Sequence, residues 1–185
     1  CCWVLNYSCI LRCKMCYKWK DDIFFNPGAK AASLQDWKNC ITSLREISPG
    51  LLQINFGGGE PFLRQDILEA VSFSKDRGFK TNIASNGYLI DASVAKEIGR
   101  SGLDSIILSL DSLNPATHDY LRGTEGAFDR VMRSIDLLEQ FGQGIYKGIC
   151  CVIYEKNLEE ILDLAAWVEG DERINSVYFM AAMQP

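Results

Sequence analysis

Short apolar runs alternate with longer amphipathic stretches along most of this chain. The short runs predict strands at residues 3–6, 51–56, 80–85, 105–110, 146–153 and 176–180. The longer stretches repeat apolar residues at helical spacing and predict helices over residues 34–47, 67–77, 92–100, 128–141 and 158–168. The longest segment without a periodic pattern is 19–32. The chain therefore alternates between the two kinds of element.

Polar and glycine residues mark where these helices begin and end. Ser33 and Asn157 are the predicted N-caps, and Gly78, Gly102 and Gly142 are the predicted helix ends. Because nearly every helix is followed by a buried-looking strand, we expect parallel strands joined by helical crossovers. Six strands are too few for the closed eight-stranded barrel.

Composition narrows the class of protein. The net charge of −5 provides no basic field that would attract nucleic acid or an anionic membrane. No apolar run reaches the roughly 18 residues of a membrane span. The length of 185 residues fits one domain, 1–185. Because the chain opens at Cys1 without a methionine, we expect it to be a fragment of a longer protein.

The most informative motif is a group of three cysteines directly after the first predicted strand. Cys9, Cys13 and Cys16 have C-x3-C-x2-C spacing, which places three thiols on one loop. Three thiolates can hold three corners of an iron–sulfur cube and leave the fourth iron open for a substrate. Zinc with a fourth cysteine, redox-active thiols and a disulfide framework are alternatives, and the spacing alone does not decide among them.

A second motif follows the second predicted strand. Residues 57–61 read Gly-Gly-Gly-Glu-Pro, so the strand ends in glycines that leave room for close approach to the backbone. Glu60 puts an anion at the same edge, and Pro61 suits the first turn of a helix. A solvated glutamate in a glycine-rich turn is the simpler interpretation, and a site for a ligand's ammonium group is the other.

Together these motifs resemble the radical S-adenosylmethionine enzymes. The resemblance rests on residues 9–16 and 58–60, and further matches follow in order: Ser85-Asn86-Gly87, Ser109-Leu110-Asp111, residues 118–123 and residues 126–130. This string is similar to the branch that contains peptide maturases with a cysteine-rich C-terminal extension and the molybdenum-cofactor enzymes. Met15 is a departure, since the family more often has an aromatic residue there. The resemblance covers essentially the whole chain.

The resemblance implies an α/β fold, an open (β/α)6 partial barrel of the TIM type, with its site at the C-terminal strand ends. It implies a 4Fe–4S cluster held by Cys9, Cys13 and Cys16. The amino and carboxylate groups of S-adenosylmethionine would chelate the open iron of that cluster. The resemblance implies that Gly58, Gly59 and Glu60 bind the ammonium group of the cosubstrate. It implies that Asn86, Ser109 and Asp111 contact the ribose or the carboxylate. It also implies that Arg122 or Arg130 pairs with the carboxylate. Of the two arginines, Arg130 is favoured.

The implied chemistry is one-electron cleavage of S-adenosylmethionine to a 5′-deoxyadenosyl radical, which takes a hydrogen atom from a substrate. That substrate is unknown and is expected to be a small molecule or peptide. Flavodoxin or ferredoxin would supply the electron, and cluster cysteines indicate a reducing compartment, most simply the cytoplasm. A zinc- or redox-sensing cysteine module is the alternative function.

Several residues are expected to stay outside the chemistry. His118 is interpreted as a capping or solvated group in a loop, and Cys40, Cys150 and Cys151 as buried, inert thiols. Residues 180–183 are expected to form part of an apolar wall for the adenine, and residues 19–32 to lie over the cysteine loop.

Overall fold

Six parallel strands form one open sheet in this computed structural model, which describes residues 1–4, 6–16 and 32–182. The strands are β1 (Cys2–Val4), β2 (Gln53–Gly57), β3 (Lys80–Ser85), β4 (Ser105–Ser109), β5 (Tyr146–Ile153) and β6 (Ser176–Ala181). They pair in chain order from β1 to β6, and every pair is parallel. This sequential order confirms the predicted open (β/α)6 partial barrel.

The helices that connect the strands are α1 (Leu34–Ile47), α2 (Ile67–Asp76), α3 (Ala92–Arg100), α4 (Pro115–Arg122), α5 (Ala127–Phe141) and α6 (Ile161–Gly170). Short 3-10 helices lie at Pro61–Leu63 and Glu155–Glu160. Ser33 is confirmed as the N-cap of α1. The predicted helix ends are also confirmed, because Gly142 is the C-cap of α5 and Gly78 and Gly102 directly follow the C-caps of α2 and α3. Ser33 forms a capping box with Asp36.

The helices differ from the prediction at two places. Helix α4 was not predicted, although Asn114 caps it, Pro115 opens it and Gly123 ends it with a φ of 64°. Three of its four buried residues are polar, namely Thr117, His118 and Arg122, so its apolar residues show no helical period. Asn157 is not a helix N-cap either, because it lies inside the second 3-10 helix and α6 begins four residues later.

Three predicted segments fall partly outside the described residues. Strand β1 occupies Cys2–Val4, and Leu5, inside the predicted strand 3–6, is not described. The segment 19–32, expected to cover the cysteine loop, lies outside them except for Ala32. The same holds for Met183 at the end of the predicted apolar wall.

The two faces of the sheet differ in chemistry. Strand residues that face the helices are apolar and fully buried, such as Ile54, Phe56, Ile83, Ile106 and Leu108. The opposite, concave face lines a cavity of about 790 Å³ with both polar and apolar side chains. Within the described part of the chain, none of the helices is long and apolar enough to cross a membrane.

Candidate active site

The loop that follows β1 docks onto the end of β2 through backbone hydrogen bonds. The Gly59 amide donates to the carbonyl of Asn6 at 2.8 Å, and the Glu60 amide donates to the carbonyl of Ser8 at 2.8 Å. The Asn6 side chain returns a bond of 3.1 Å to the Glu60 carbonyl. The residues just before Cys9 are therefore fixed against the Gly-Gly-Glu segment.

This docking explains two glycines of the motif. A Cβ on Gly58 would overlap the carbonyl oxygen of Asn6, and a Cβ on Gly59 would overlap that of Ser8. Gly58 also has a φ of 138°, which side chains disfavour. The close approach that requires glycine here is made by the protein's own loop. Contact of Gly58 and Gly59 with a cosubstrate stays a prediction.

The second half of the cysteine loop docks onto the C-terminal end of α4. The amides of Arg12 and Lys14 donate to the carbonyls of Arg122 and Leu121, at 3.2 and 2.8 Å. These carbonyls lie in the last turn of the helix, where no intrahelical donor is available. A Cβ on Gly123 would overlap the Arg12 carbonyl. The missed helix thus forms part of the support for the cysteines.

The three cysteines are each partly buried on this doubly anchored loop. Burial raises the pKa of the Cys9 and Cys13 thiols, and each also experiences the charge of neighbouring loop cysteines. Among the residues that the structure describes, no three His, Cys, Asp or Glu side chains are grouped around a point for one metal ion. A cubane cluster differs from such a site because each thiolate binds its own iron.

The residues that follow the strands at the C-terminal edge of the sheet are called the rim below. Glu60 belongs to the rim after β2, and it is completely buried. Its carboxylate accepts hydrogen bonds from Ser85 Oγ at 2.9 Å, the Asn86 amide at 2.9 Å and the Phe62 amide at 3.2 Å. Burial raises the pKa of Glu60, and the three donors oppose that shift. The bond to Phe62 makes Glu60 the N-cap of the 3-10 helix Pro61–Leu63.

Asn86 connects Glu60 to the first cysteine. Its backbone N–H donates the hydrogen bond to Glu60 described above, and its side-chain Nδ2 lies 3.7 Å from Cys9 Sγ. Its side-chain Oδ1 accepts a hydrogen bond of 2.9 Å from the Tyr88 amide. Ser109 stands at the end of β4 and lines the cavity opposite Cys150. Asn86 and Ser109 therefore both lie at the C-terminal edge of the sheet, as predicted from their position after strands.

The two candidate arginines have different surroundings. Arg122 is buried and forms an ion pair of 2.7 Å with Asp111, which is also buried. Arg130 is exposed in the first turn of α5, with its guanidinium 5.3 Å from the ring centre of Tyr88. Their cosubstrate contacts stay predictions, and Arg130 is the more accessible of the two.

His118 belongs to α4 and is neither solvated nor in a loop, so that interpretation was wrong. It is buried, and its Nδ1 accepts a hydrogen bond of 3.1 Å from the Asp111 amide. Burial and the charge of Arg122 lower the pKa of His118 to about 3, so the ring is neutral. The hydrogen bond that His118 accepts holds the backbone at Asp111 in place.

The remaining thiols follow the prediction only in part. Cys151 is buried, and burial raises its pKa to about 12. Cys150 is partly buried in the cavity wall with its Sγ 3.5 Å from Met180 Sδ, and Cys40 is exposed rather than buried. Ser85 was not predicted to have a site role, although it stands in the quoted Ser-Asn-Gly motif.

The family model of the Radical SAM superfamily matches residues 3–168, and the chain belongs to this superfamily. The Fe-coproporphyrin III synthase of Methanosarcina barkeri is 32% identical over 178 residues, covering 96% of this chain and 42% of that protein. The AdoMet-dependent heme synthase of Nitratidesulfovibrio vulgaris is 30% identical over 162 residues, covering 88% and 42%. The chain thus spans less than half the length of these curated relatives.

The fold is shared with SuiB from Streptococcus suis, at a TM-score of 0.80 and 21% identity, covering 100% of this chain and 40% of SuiB. SuiB bound to S-adenosylmethionine matches with a TM-score of 0.76 at 23% identity, covering 99% and 39%. SuiB bound to its precursor peptide SuiA matches at 0.79 and 22%, covering 98% and 39%. Membership of the superfamily implies an iron–sulfur cluster and S-adenosylmethionine as cofactors.

Proposed function

We propose that this chain is the core of a radical enzyme that cleaves S-adenosylmethionine reductively at a 4Fe–4S cluster. The 5′-deoxyadenosyl radical so formed would take a hydrogen atom from a substrate. The observation that carries the proposal is the position of Asn86, which joins the buried Glu60 carboxylate at 2.9 Å to Cys9 Sγ at 3.7 Å. The predicted cluster loop and the predicted cosubstrate rim are thereby one connected structure.

The residues present fit such a cluster. Cys9, Cys13 and Cys16 supply three soft thiol ligands from a loop that two sets of backbone hydrogen bonds anchor. The burial that raises the pKa of Cys9 and Cys13 disfavours their free thiolates, and iron coordination would restore that form. When bound, the cluster supplies the electron for cleavage, and the protein supplies position and charge.

Cosubstrate binding is proposed for the rim around this loop. Gly58, Gly59 and Glu60 would bind the ammonium group, and Asn86 and Ser109 the ribose or carboxylate. Arg130 is the proposed partner of the carboxylate, because its exposed guanidinium at the start of α5 can still form a charge-assisted pair.

The cavity on the concave face is the proposed substrate site. Its lining combines the amides of Gln53, Asn55 and Asn82 with aromatic and aliphatic side chains, and Lys80 and Asp104 are the charged residues of the described lining. This lining suits a substrate with amide or other neutral polar groups and an apolar portion. A peptide and a cofactor precursor both meet that description, in agreement with the names of the relatives and with peptide-bound SuiB.

A flavodoxin- or ferredoxin-type protein would deliver the electron, in a reducing compartment such as the cytoplasm. Regions of a longer protein would select the substrate, in line with the 42% coverage of the curated relatives.

Iron and sulfide analysis of protein purified without oxygen tests the proposal. We expect about four irons and four sulfides per chain, the composition of such a cluster. Stoichiometric zinc without sulfide would instead support a zinc- or redox-sensing module and would overturn the proposal.

A further inference from the structure

Arg122 and Asp111 form a buried ion pair directly behind the cysteine loop. Arg122 Nη2 and Asp111 Oδ1 are 2.7 Å apart, with 7% and 1% of the two residues exposed. Burying two charges costs free energy even when they are paired. A buried pair is therefore weak evidence for a stabilising role, and the surroundings of this one indicate another.

Asp111 is held from several sides, so its carboxylate has a fixed position. Its Oδ1 also accepts from the Val152 amide at 2.9 Å, its own amide donates to His118, and its carbonyl accepts from Asn157 Nδ2 at 2.8 Å. These contacts involve β5, α4 and the second 3-10 helix. The guanidinium that pairs with Asp111 is consequently placed with little freedom.

The other arm of that guanidinium points to a predicted cluster ligand. Arg122 Nη1 lies 3.9 Å from Cys13 Sγ. On either side of Cys13, the amides of Arg12 and Lys14 bind the carbonyls of Arg122 and Leu121. Backbone bonds to the same helical turn thus set the separation between the guanidinium and the sulfur.

Among the described residues, two polar atoms of the pair have no hydrogen-bond partner, namely Arg122 Nε and Asp111 Oδ2. The guanidinium is therefore not fully used by contacts that stabilise the fold. Since arginine keeps its charge at any ordinary pH, a permanent cation lies behind Cys13, with the Asp111 carboxylate on its far side.

We propose that Arg122 is a positioning residue for the cluster that Cys13 helps to hold, and that it raises the reduction potential of that cluster. Asp111 would anchor the guanidinium and partly offset its charge. Net charge and hydrogen bonds to sulfur set the potentials of iron–sulfur clusters, and a nearby cation favours the more negative, reduced state. The inference rests on the proposed function and assigns Arg122 a role other than binding the cosubstrate carboxylate.

Potentiometric titration followed by electron paramagnetic resonance tests this inference on cluster-loaded protein without S-adenosylmethionine. Arg122→Gln removes the cation, and we expect the midpoint potential to become more negative. Asp111→Asn removes the anion but keeps an oxygen for the Val152 amide, and we expect a more positive midpoint. Arg122→Lys keeps the charge, so its shift should be smaller than that of Arg122→Gln.

Opposite signs distinguish a charge effect from simple damage, which would give no such pattern. The matched control is Arg173→Gln, which breaks the ion pairs of Arg173 with Asp136 and Asp171. Arg173 lies before β6, at the opposite end of the sheet, so the midpoint should stay unchanged. If Arg122→Gln takes up no iron, the sign for Asp111→Asn decides alone.

Shifts of the same sign, or none, would overturn the inference while leaving the proposed function intact. A wild-type protein that holds no iron–sulfur cluster would instead overturn the proposed function itself.

Discussion

The backbone N–H of Asn86 donates a 2.9 Å hydrogen bond to the completely buried carboxylate of Glu60. This bond joins the end of β2 to the end of β3, and Ser85 adds a second bond to the same carboxylate. The rim beside the cysteine loop is therefore held together by one acidic side chain.

Replacing Glu60 with Gln should have two separable effects. The amide cannot accept all three hydrogen bonds, so we expect the free energy of unfolding to fall by about 1–3 kcal/mol. If Glu60 also pairs with the cosubstrate ammonium, S-adenosylmethionine binding should weaken by about 1.5–3 kcal/mol in a calorimetric titration. Cluster content should stay normal, because Glu60 is not a predicted iron ligand.

Ser85→Ala is the matched control for this substitution. It removes one hydrogen bond from the same carboxylate but leaves its charge, so unfolding should change and cosubstrate affinity should not. Equal losses of affinity in the two variants would show that Glu60 acts on the cosubstrate by supporting the rim alone.

Adjacent glycines offer a sharp test of the loop docking. Gly59→Ala would place a methyl group against the Ser8 carbonyl, whereas a Cβ on Gly57 meets nothing within 4 Å. We expect Gly59→Ala to destabilise the fold by about 1–3 kcal/mol, the usual cost of forced overpacking, and to reduce iron uptake. Gly57→Ala should leave iron content and unfolding near the wild-type values, and similar losses in both variants would contradict the docking.

Much of the fold follows from the sequence because its signals are local. The periods of the apolar residues gave strands 80–85 and 146–153 with the observed bounds, and Ser33 marked the start of α1. The apolar pattern did not predict helix α4, because this short helix buries polar residues such as Thr117 and His118. Its signals, Asn114 followed by Pro115, were in the sequence.

The site was predictable only to the level of its position. Parallel strands bring their carboxyl ends to one edge, so residues after β2, β3 and β4 were expected to meet. Which atoms touch was not predictable, because Ser85 and Glu60 are 25 residues apart and their contact depends on the sheet register. The same is true of Arg122, whose bonds to Asp111 and Cys13 require a helix that the pattern did not show.

His118 should make the stability of the fold sensitive to acid. Its pKa is about 3 in the fold and about 6.5 in an unfolded chain, so the unfolded state binds more protons between these values. The stabilisation is complete above pH 6.5 and is lost as the pH falls toward 3. Between pH 7 and pH 5 we expect a loss of about 2 kcal/mol from this group.

Urea unfolding at the two pH values checks this prediction, with His118→Gln as the reference. Glutamine can accept the hydrogen bond from the Asp111 amide but does not titrate, so the variant should lose about 2 kcal/mol less than the wild type over the same interval. Identical pH dependence in the two proteins would show that His118 does not titrate as described.

Removing one predicted iron ligand should abolish the cluster. Cys13→Ala leaves two thiols on the loop, too few to hold a cube, so anaerobic reconstitution should give little iron or sulfide. Cys40→Ala is the control, because Cys40 is an exposed thiol on α1 and outside the loop. Equal iron loss in both variants would point to general damage rather than to lost coordination.

We propose above that this chain contains the machinery for cleaving S-adenosylmethionine. The residues proposed for that step lie within residues 9–130, so the reduced, cluster-loaded chain should cleave its cosubstrate slowly even without a substrate. The measurement is chromatography of an anaerobic reaction with a chemical reductant, using the Cys13→Ala variant as the blank. The reductant supplies the electron, and buffer or reductant supplies the hydrogen atom that the radical takes in place of a substrate's. We expect methionine and 5′-deoxyadenosine in equal amounts from the wild type and none from the variant. A wild-type sample with a full, reduced cluster that yields no 5′-deoxyadenosine would contradict the proposed function.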